Sequence, residues 1–377
     1  MTNELTLRQR VLNTYARKKI DRLVFSPRLY YWYDKNKLYL ERKSDKDRPN
    51  KMPSYYLGKS QKEIYDFLGA SPRYVYETFH FPLIKEEINK ESNIDIRSEK
   101  GSKEKELITI YKTPIGTMKN ISNDGHLTDY PIKSLEDMKI MKYILNHTEF
   151  RFHDRNFKKA EAILGERGVP CTFFPRSPYM RLIVEYMGFP RTILFLKKYP
   201  SEVENFMNFI SEWDDKMYDV LATSPLKVVN FGENIDANLA PPKYFERYLV
   251  PYYERRVKQF HQADKFCHIH MDGSLKDLLP YLADLPFDGL EGVTFEPQGD
   301  ITFNEFRESI GNKILLDGVP SIVFLPQYSM DYVRDYAQKV MELFSPNLIL
   351  GVSDEMPPNG DMRKIEMIAN MVKNFEP

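Results

Sequence analysis

From about residue 150 onward, short apolar runs alternate with longer amphipathic segments, and this alternation constrains the fold more than any other feature. The runs cover residues 171–174, 227–231, 266–271, 290–295, 314–317 and 348–352. Between them, residues 200–221, 244–263 and 330–343 have helical periodicity. Strand followed by helical crossover, repeated many times, predicts a parallel sheet. An earlier strand is expected at 22–26, after a short helix, and one more within residues 70–120. A closed barrel and an open doubly wound sheet both fit this alternation. The barrel is favoured for two reasons. No Gly-rich phosphate turn follows any strand, and Glu233, Asp272, Glu296, Asp317, Asp354 and Glu355 sit at or just past strand ends. Barrels draw their catalytic residues from those ends. The expected fold is α/β, a (β/α)8 TIM barrel.

At 377 residues the chain is long enough for two or three domains, but a barrel with insertions spans it as one. The single domain is expected to cover 1–377, with residues 1–150 including N-terminal elaborations. Residues 89–106 are charged and poor in apolar side chains, which predicts an exposed excursion. Residues 107–119 alternate and contain Pro-Ile-Gly, which predicts a hairpin.

Lysine plus arginine and aspartate plus glutamate both number 54, so neither nucleic acid nor an anionic membrane is expected as partner. The polar stretch 1–10 has no signal-peptide core, and no run of about 18 apolar residues exists to span a membrane. Cys171 and Cys267 are the two cysteines, too few for a disulfide scaffold. A cytoplasmic location is the expectation. Aromatic residues make up 14% of the chain, enough to pack a core and line an amphipathic pocket, and exposed ones would suit a homodimer.

The sharpest local feature is Lys265-Phe-Cys-His-Ile-His-Met-Asp-Gly273. Side chains on a strand alternate faces, so His268, His270 and Asp272 share one face, stepping about 6.6 Å apart. Cys267, Ile269 and Met271 share the other. Two imidazoles and a carboxylate on one face can ligate a metal or exchange protons. The same three could instead be hydrogen-bonded interior groups with no metal. Glu233, at the end of its strand, could ligate a metal, accept a proton or cap a turn. Asp354 and Glu355 precede Met-Pro-Pro-Asn-Gly, a sharp turn that could aim either at the barrel mouth. Arg28 and Arg176 follow strands and could clamp an anion or form plain salt bridges. No Gly-x-Ser-x-Gly elbow, P-loop, His-Glu-x-x-His or paired Cys-x-x-Cys is present.

Several segments resemble the uroporphyrinogen decarboxylase-like superfamily. They are Leu7-Arg-Gln-Arg-Val-Leu-Asn followed by Lys19-Ile-Asp-Arg22, then Phe295-Glu-Pro-Gln-Gly-Asp300, then Ile349-Leu-Gly-Val-Ser-Asp-Glu-Met-Pro-Pro358. His270-Met-Asp-Gly273 sits where the superfamily's methyltransferases carry His-x-Cys-Gly. The true decarboxylases open with Arg-Gln-Ala-Gly-Arg, which grips substrate carboxylates. Here Arg28-Leu-Tyr-Tyr-Trp-Tyr-Asp34 occupies that stretch, one arginine among aromatics, so porphyrin decarboxylation is not expected.

The resemblance therefore implies the other branch, zinc-dependent methyltransferases that work with a corrinoid protein. Their thiol-methylating members hold zinc with His-x-Cys and a distant Cys. Asp272 replaces the first cysteine, and Val352-Ser-Asp-Glu355 occupies the region of the second. Oxygen and nitrogen ligands make a harder zinc, suited to activating an ether or alcohol oxygen, as in O-demethylases. The implied metal ligands are drawn from His270, His268, Asp272, Glu233 and Glu355, with His270, Glu233 and Asp272 as the catalytic residues. Arg28, Tyr30, Tyr31, Arg176 and Tyr179 are the expected substrate-binding residues, with Trp32 beside them at the mouth. The expected activity is methyl transfer between a small methylated substrate, such as an aromatic methyl ether, and a cobalamin or other corrinoid held by a partner protein. A metal-independent decarboxylase or lyase and a non-catalytic ligand-binding barrel are the alternatives.

Overall fold

A computed structural model describes residues 4–42, 52–73 and 82–377. Seven strands form one parallel sheet: β1 (Val24–Phe25), β2 (Phe173–Phe174), β3 (Val228–Phe231), β4 (Phe266–His270), β5 (Gly289–Glu291), β6 (Ile314–Pro320) and β7 (Leu348–Ser353). In space β2 to β7 run in chain order, and β1 lies beyond β7. All neighbouring pairs are parallel. The runs read as strands in the sequence are therefore strands, and most of their residues are buried, as expected where helices cover the outer face.

The sheet curls round an interior. Ser26, Cys171, Val228, His268, Leu316 and Ile349 surround one cavity of about 30 Å³. Val24, Val169, Val228, Ile314, Leu316 and Ile349 pack there as a separate apolar cluster. Helix α1 (Leu7–Tyr15) closes the floor by adding Val11 and Tyr15 to that cluster. Residues 70–73 follow the edge at β1, where the Ser71 amide donates to the Phe25 carbonyl at 2.7 Å. On their other side lies Gly168, so close that a Cβ there would come within 2.6 Å of the Pro72 carbonyl oxygen. Glycine is the residue that permits this approach.

Several boundaries differ from the sequence reading. The run 314–317 continues as strand to Pro320, so Asp317 lies within β6 and not at its end, and the run 171–174 is strand only at 173–174. The run 290–295 is a strand only to Glu291, because Gly292 turns the chain with φ of 76°. The helix read across 244–263 is divided. A π-type turn at Phe245–Leu249 precedes helix α4 (Val250–Gln262), which has Pro251 in its first turn, where a missing N–H is tolerated. The excursion at 89–106 is partly ordered: Asp95–Lys100 is an exposed edge strand on the hairpin Glu106–Thr113 and Gly116–Asn123. Its side chains carry no apolar period, yet backbone pairing suffices for an edge strand. Within 70–120, the described strands all belong to antiparallel sheets, and residues 74–81 lie outside the described residues.

The other helices used below are α2 (Tyr30–Arg42), which starts after β1, α3 (Pro200–Ala222), and α5 (Met330–Phe344). Helices α3 and α5 match their predicted extents to within one residue at each end. Among the described residues, no helix is long and apolar enough to cross a membrane.

Candidate functional site

Strand β4 carries the site because its alternation places Cys267, Ile269 and Met271 among the outer core and turns the histidines inward. His268 lies deep. Its Nδ1 meets the Tyr15 hydroxyl at 2.8 Å, and burial pushes its pKa down to about 4. His270 lies one step higher and is 3% exposed. Burial works against its charge, but the Asp272 and Glu291 carboxylates outweigh burial and raise it to about 9.

Around Nε2 of His270 the carboxylates of Asp272 and Asp354 gather at 3.6 and 3.7 Å. The three ligand atoms lie within 4.8 Å of one another. One imidazole nitrogen and two carboxylate oxygens, too far apart for direct hydrogen bonds yet converging on one point, suit a small divalent cation. Asp354 has φ of 64°, which turns its side chain away from the run of β7. Asn234 (φ 56°), past the end of β3, and Asp317 (φ 85°), within β6, share this left-handed conformation around the site. Asparagine and aspartate tolerate that region better than other non-glycine residues, and such backbone gathers at functional sites.

Beneath the trio lies a fully buried polar layer. Glu291 on β5 is in register with His270. Its Oε2 accepts from His270 Nδ1 at 3.1 Å and from Asn230 Nδ2 at 2.8 Å. Arg73 reaches Glu291 at 2.6 Å and Asp317 at 3.0 Å. Burial opposes the charge of Glu291, but Arg28, His270 and Arg73 hold its carboxyl well below the ordinary range. Burial pushes Asp317 up to about 6; Arg73 opposes the rise and the Glu291 charge adds to it.

The remaining expected site residues take other partners. Glu355 accepts from the Tyr31 amide at 3.2 Å and meets Arg28 at 3.4 Å, while burial raises it to about 7. Arg28 also lies 3.7 Å from Asp354 and 3.4 Å from His270 Nδ1. Glu233 is fully buried. Its two oxygens accept from the Ser177 amide at 2.7 Å and hydroxyl at 3.0 Å, and burial raises it to about 7. His268, Glu233 and Glu355 thus stand outside the trio. Arg176 donates to Asn234 at 2.9 Å, and Asn234 donates to Asp272 at 3.1 Å, so Arg176 supports the site through two links.

Tyr179 is buried, donates to the Leu239 carbonyl and stacks on Tyr248. Tyr31 is 42% exposed and Tyr30 half-buried at the start of α2. Trp32 corrects the expectation of a mouth residue. It is buried edge-on to Tyr56, because successive positions of a helix point to different sides. Glu296 is exposed.

Glu291 and Arg73 escaped the sequence reading, which weighed polar residues at strand ends. A lone glutamate inside the apolar run Gly289-Leu-Glu-Gly-Val was the available signal for Glu291; Arg73 had none.

The family model described as Uroporphyrinogen decarboxylase (URO-D) matches residues 122–375. Among solved structures, a methyltransferase from Methanosarcina mazei is similar in fold, with a TM-score of 0.60 at 13% identity over 99% of each chain. A B12-independent methionine synthase from Shewanella sp. W3-18-1 aligns over 94% of this chain and 98% of its own, at 12% identity and a TM-score of 0.47. A comparison with curated proteins returns no match.

Proposed function

The chain belongs to the uroporphyrinogen decarboxylase (URO-D) family, and we propose that within it this protein is a zinc-dependent methyltransferase, moving a methyl group between a small methylated substrate and a corrinoid carried by a partner protein. The observation that carries this reading is the convergence of His270 Nε2 with the carboxylates of Asp272 and Asp354. We also take the curled sheet to be a closed (β/α)8 TIM barrel, with residues 70–73 bridging β1 and β2. The hydrogen bond from Ser71 to Phe25 and the approach of Gly168 to Pro72 support that closure.

His270, Asp272 and Asp354 would hold the ion, two oxygens and one nitrogen with no thiolate. Bound there, zinc supplies Lewis acidity that weakens the bond between a methyl group and its oxygen or nitrogen. Arg176 and Asn234 hold the Asp272 carboxylate in place from the side. Arg28 binds Glu355 and Asp354, which fixes the start of α2 against the end of β7. Tyr30 and Tyr31 at that junction offer aromatic surface to a methyl ether. Arg28 is buried against these acids, which argues against a grip on a polycarboxylate porphyrin.

The test is metal analysis with a transfer assay. Purified protein should carry about one divalent ion per chain, as expected of a three-ligand site, and His270→Ala should lose it. Methyl transfer is read from the cobalt absorption of a reduced corrinoid protein mixed with a methyl ether. A wild-type chain that takes up no metal and leaves the cobalt spectrum unchanged would overturn the reading. Release of CO₂ from a small acid without metal would favour a decarboxylase instead.

A further inference from the structure

Glu291 meets Arg73, Asn230 and His270, yet it is not one of the three groups that face the cation position. It sits behind His270, on the side of the ring away from Asp272 and Asp354. Glu291 Oε2 lies 3.1 Å from Nδ1 of His270, and an Arg28 nitrogen lies 3.4 Å from it. They make opposite demands. A carboxylate only accepts and needs a proton on Nδ1; a guanidinium only donates and needs a bare Nδ1. Glu291 is the nearer, and its orientation is set independently of His270. Asn230 donates to the same oxygen at 2.8 Å, and Arg73 binds the other at 2.6 Å. The register of β5 against β4 pairs Glu291 with His270 directly. The carboxylate therefore decides the state of Nδ1.

We propose that Glu291 is a positioning residue: by accepting from Nδ1 it holds His270 as the Nδ1–H tautomer and leaves Nε2 as the ligand atom aimed between Asp272 and Asp354. This rests on the metal reading above for its purpose, though the tautomer itself does not require a metal. Carboxylates behind ligating histidines commonly act in this way, fixing ring orientation and raising ligand basicity. His268, on the same face of β4, meets the Tyr15 hydroxyl with its Nδ1 at 2.8 Å, where His270 meets a carboxylate.

The experiment has two readouts on the full chain. The first is a long-range proton–nitrogen correlation spectrum of histidine-labelled, metal-free protein, followed up in pH until the His270 ring is neutral. Nδ1 should carry the proton and Nε2 should be bare. Glu291→Gln should give mixed or reversed protonation. The second is zinc affinity by chelator competition. Glu291→Gln should weaken it about 10- to 100-fold. Asp317→Asn removes a carboxylate from the same buried layer without touching His270, and should leave the tautomer as in the wild type.

An Nε2–H tautomer in the wild-type spectrum overturns the proposal, and that result needs no variant to fold. So does a Glu291→Gln protein with unchanged tautomer and zinc affinity, or an Asp317→Asn protein altered as much as Glu291→Gln. If wild-type protein shows the Nδ1–H tautomer and Glu291→Gln loses it, yet neither binds zinc, the positioning role stands and the metal reading fails.

Discussion

His268 and His270 are two residues apart on one face of one strand, yet they meet opposite fates. The lower ring has a tyrosine hydroxyl as its hydrogen-bond partner, and burial keeps it neutral to about pH 4. The upper ring lies between Asp272 and Glu291, which hold its proton up to about pH 9. Depth and partners decide this, and residue type does not. Glu233 gives the clearest pH test at this scale. Its folded value is raised to about 7 from an ordinary 4.5, because burial disfavours its charge more than Ser177 and Arg176 favour it. Between those values the folded chain holds a proton that the unfolded chain has lost, so this group lowers stability as pH rises from about 4.5 to 7. Glu233→Gln keeps the shape and removes the titration. Relative to wild type it should gain by up to about 3 kcal/mol across that window. Urea unfolding at pH 4.5 and pH 8 measures this, and an equal difference at both would refute it.

At the scale of elements, α1 is the floor of the interior. It begins with a capping box, in which the Thr6 hydroxyl accepts from the Gln9 amide and the Gln9 side chain accepts from the Thr6 amide. It ends on Tyr15, which reaches from the helix to His268 on β4. The helix therefore packs against the sheet and satisfies a polar atom of the layer beneath the site. Tyr15→Phe keeps the ring and deletes the bond, leaving a buried imidazole nitrogen without that partner. It should cost about 1–3 kcal/mol of stability, read as a lower urea midpoint. A midpoint equal to wild type would show that the bond contributes nothing. Hydrophobic period identified the long helices well, but it missed the interruption before Pro251, where backbone geometry overrides an unbroken amphipathic pattern.

For the whole molecule, Arg73 is the tie. It belongs to the segment beside β1 and reaches Glu291 on β5 and Asp317 on β6. All three side chains are buried or nearly so. Arg73→Met would take a bonded cation from two buried acids, and breaking a buried pair on one side commonly costs about 3–5 kcal/mol. Chemical denaturation at pH 7 should reveal a loss of that size, and a loss under about 1 kcal/mol would mean that water enters and solvates the acids.

Local pattern by itself determined the parallel strands, the inward face shared by His268, His270 and Asp272, and the outward face of Cys267. Those follow from the two-residue period of a strand and the 3.6-residue period of a helix, both readable over a few neighbouring positions. The candidate membership of Asp354 was visible too, as a carboxylate past the end of β7. Only tertiary structure decided that Asp354 meets Asp272 across His270, that Glu355 turns to Arg28, and that Glu233 is spent on Ser177. The same holds for Glu291 and Arg73, which are 218 positions apart and in contact. No short-range period encodes which distant strands the curl of a sheet brings together, or how far it buries the charges between them. At His270 that burial and those partners set both the proton and the direction of the ligand atom.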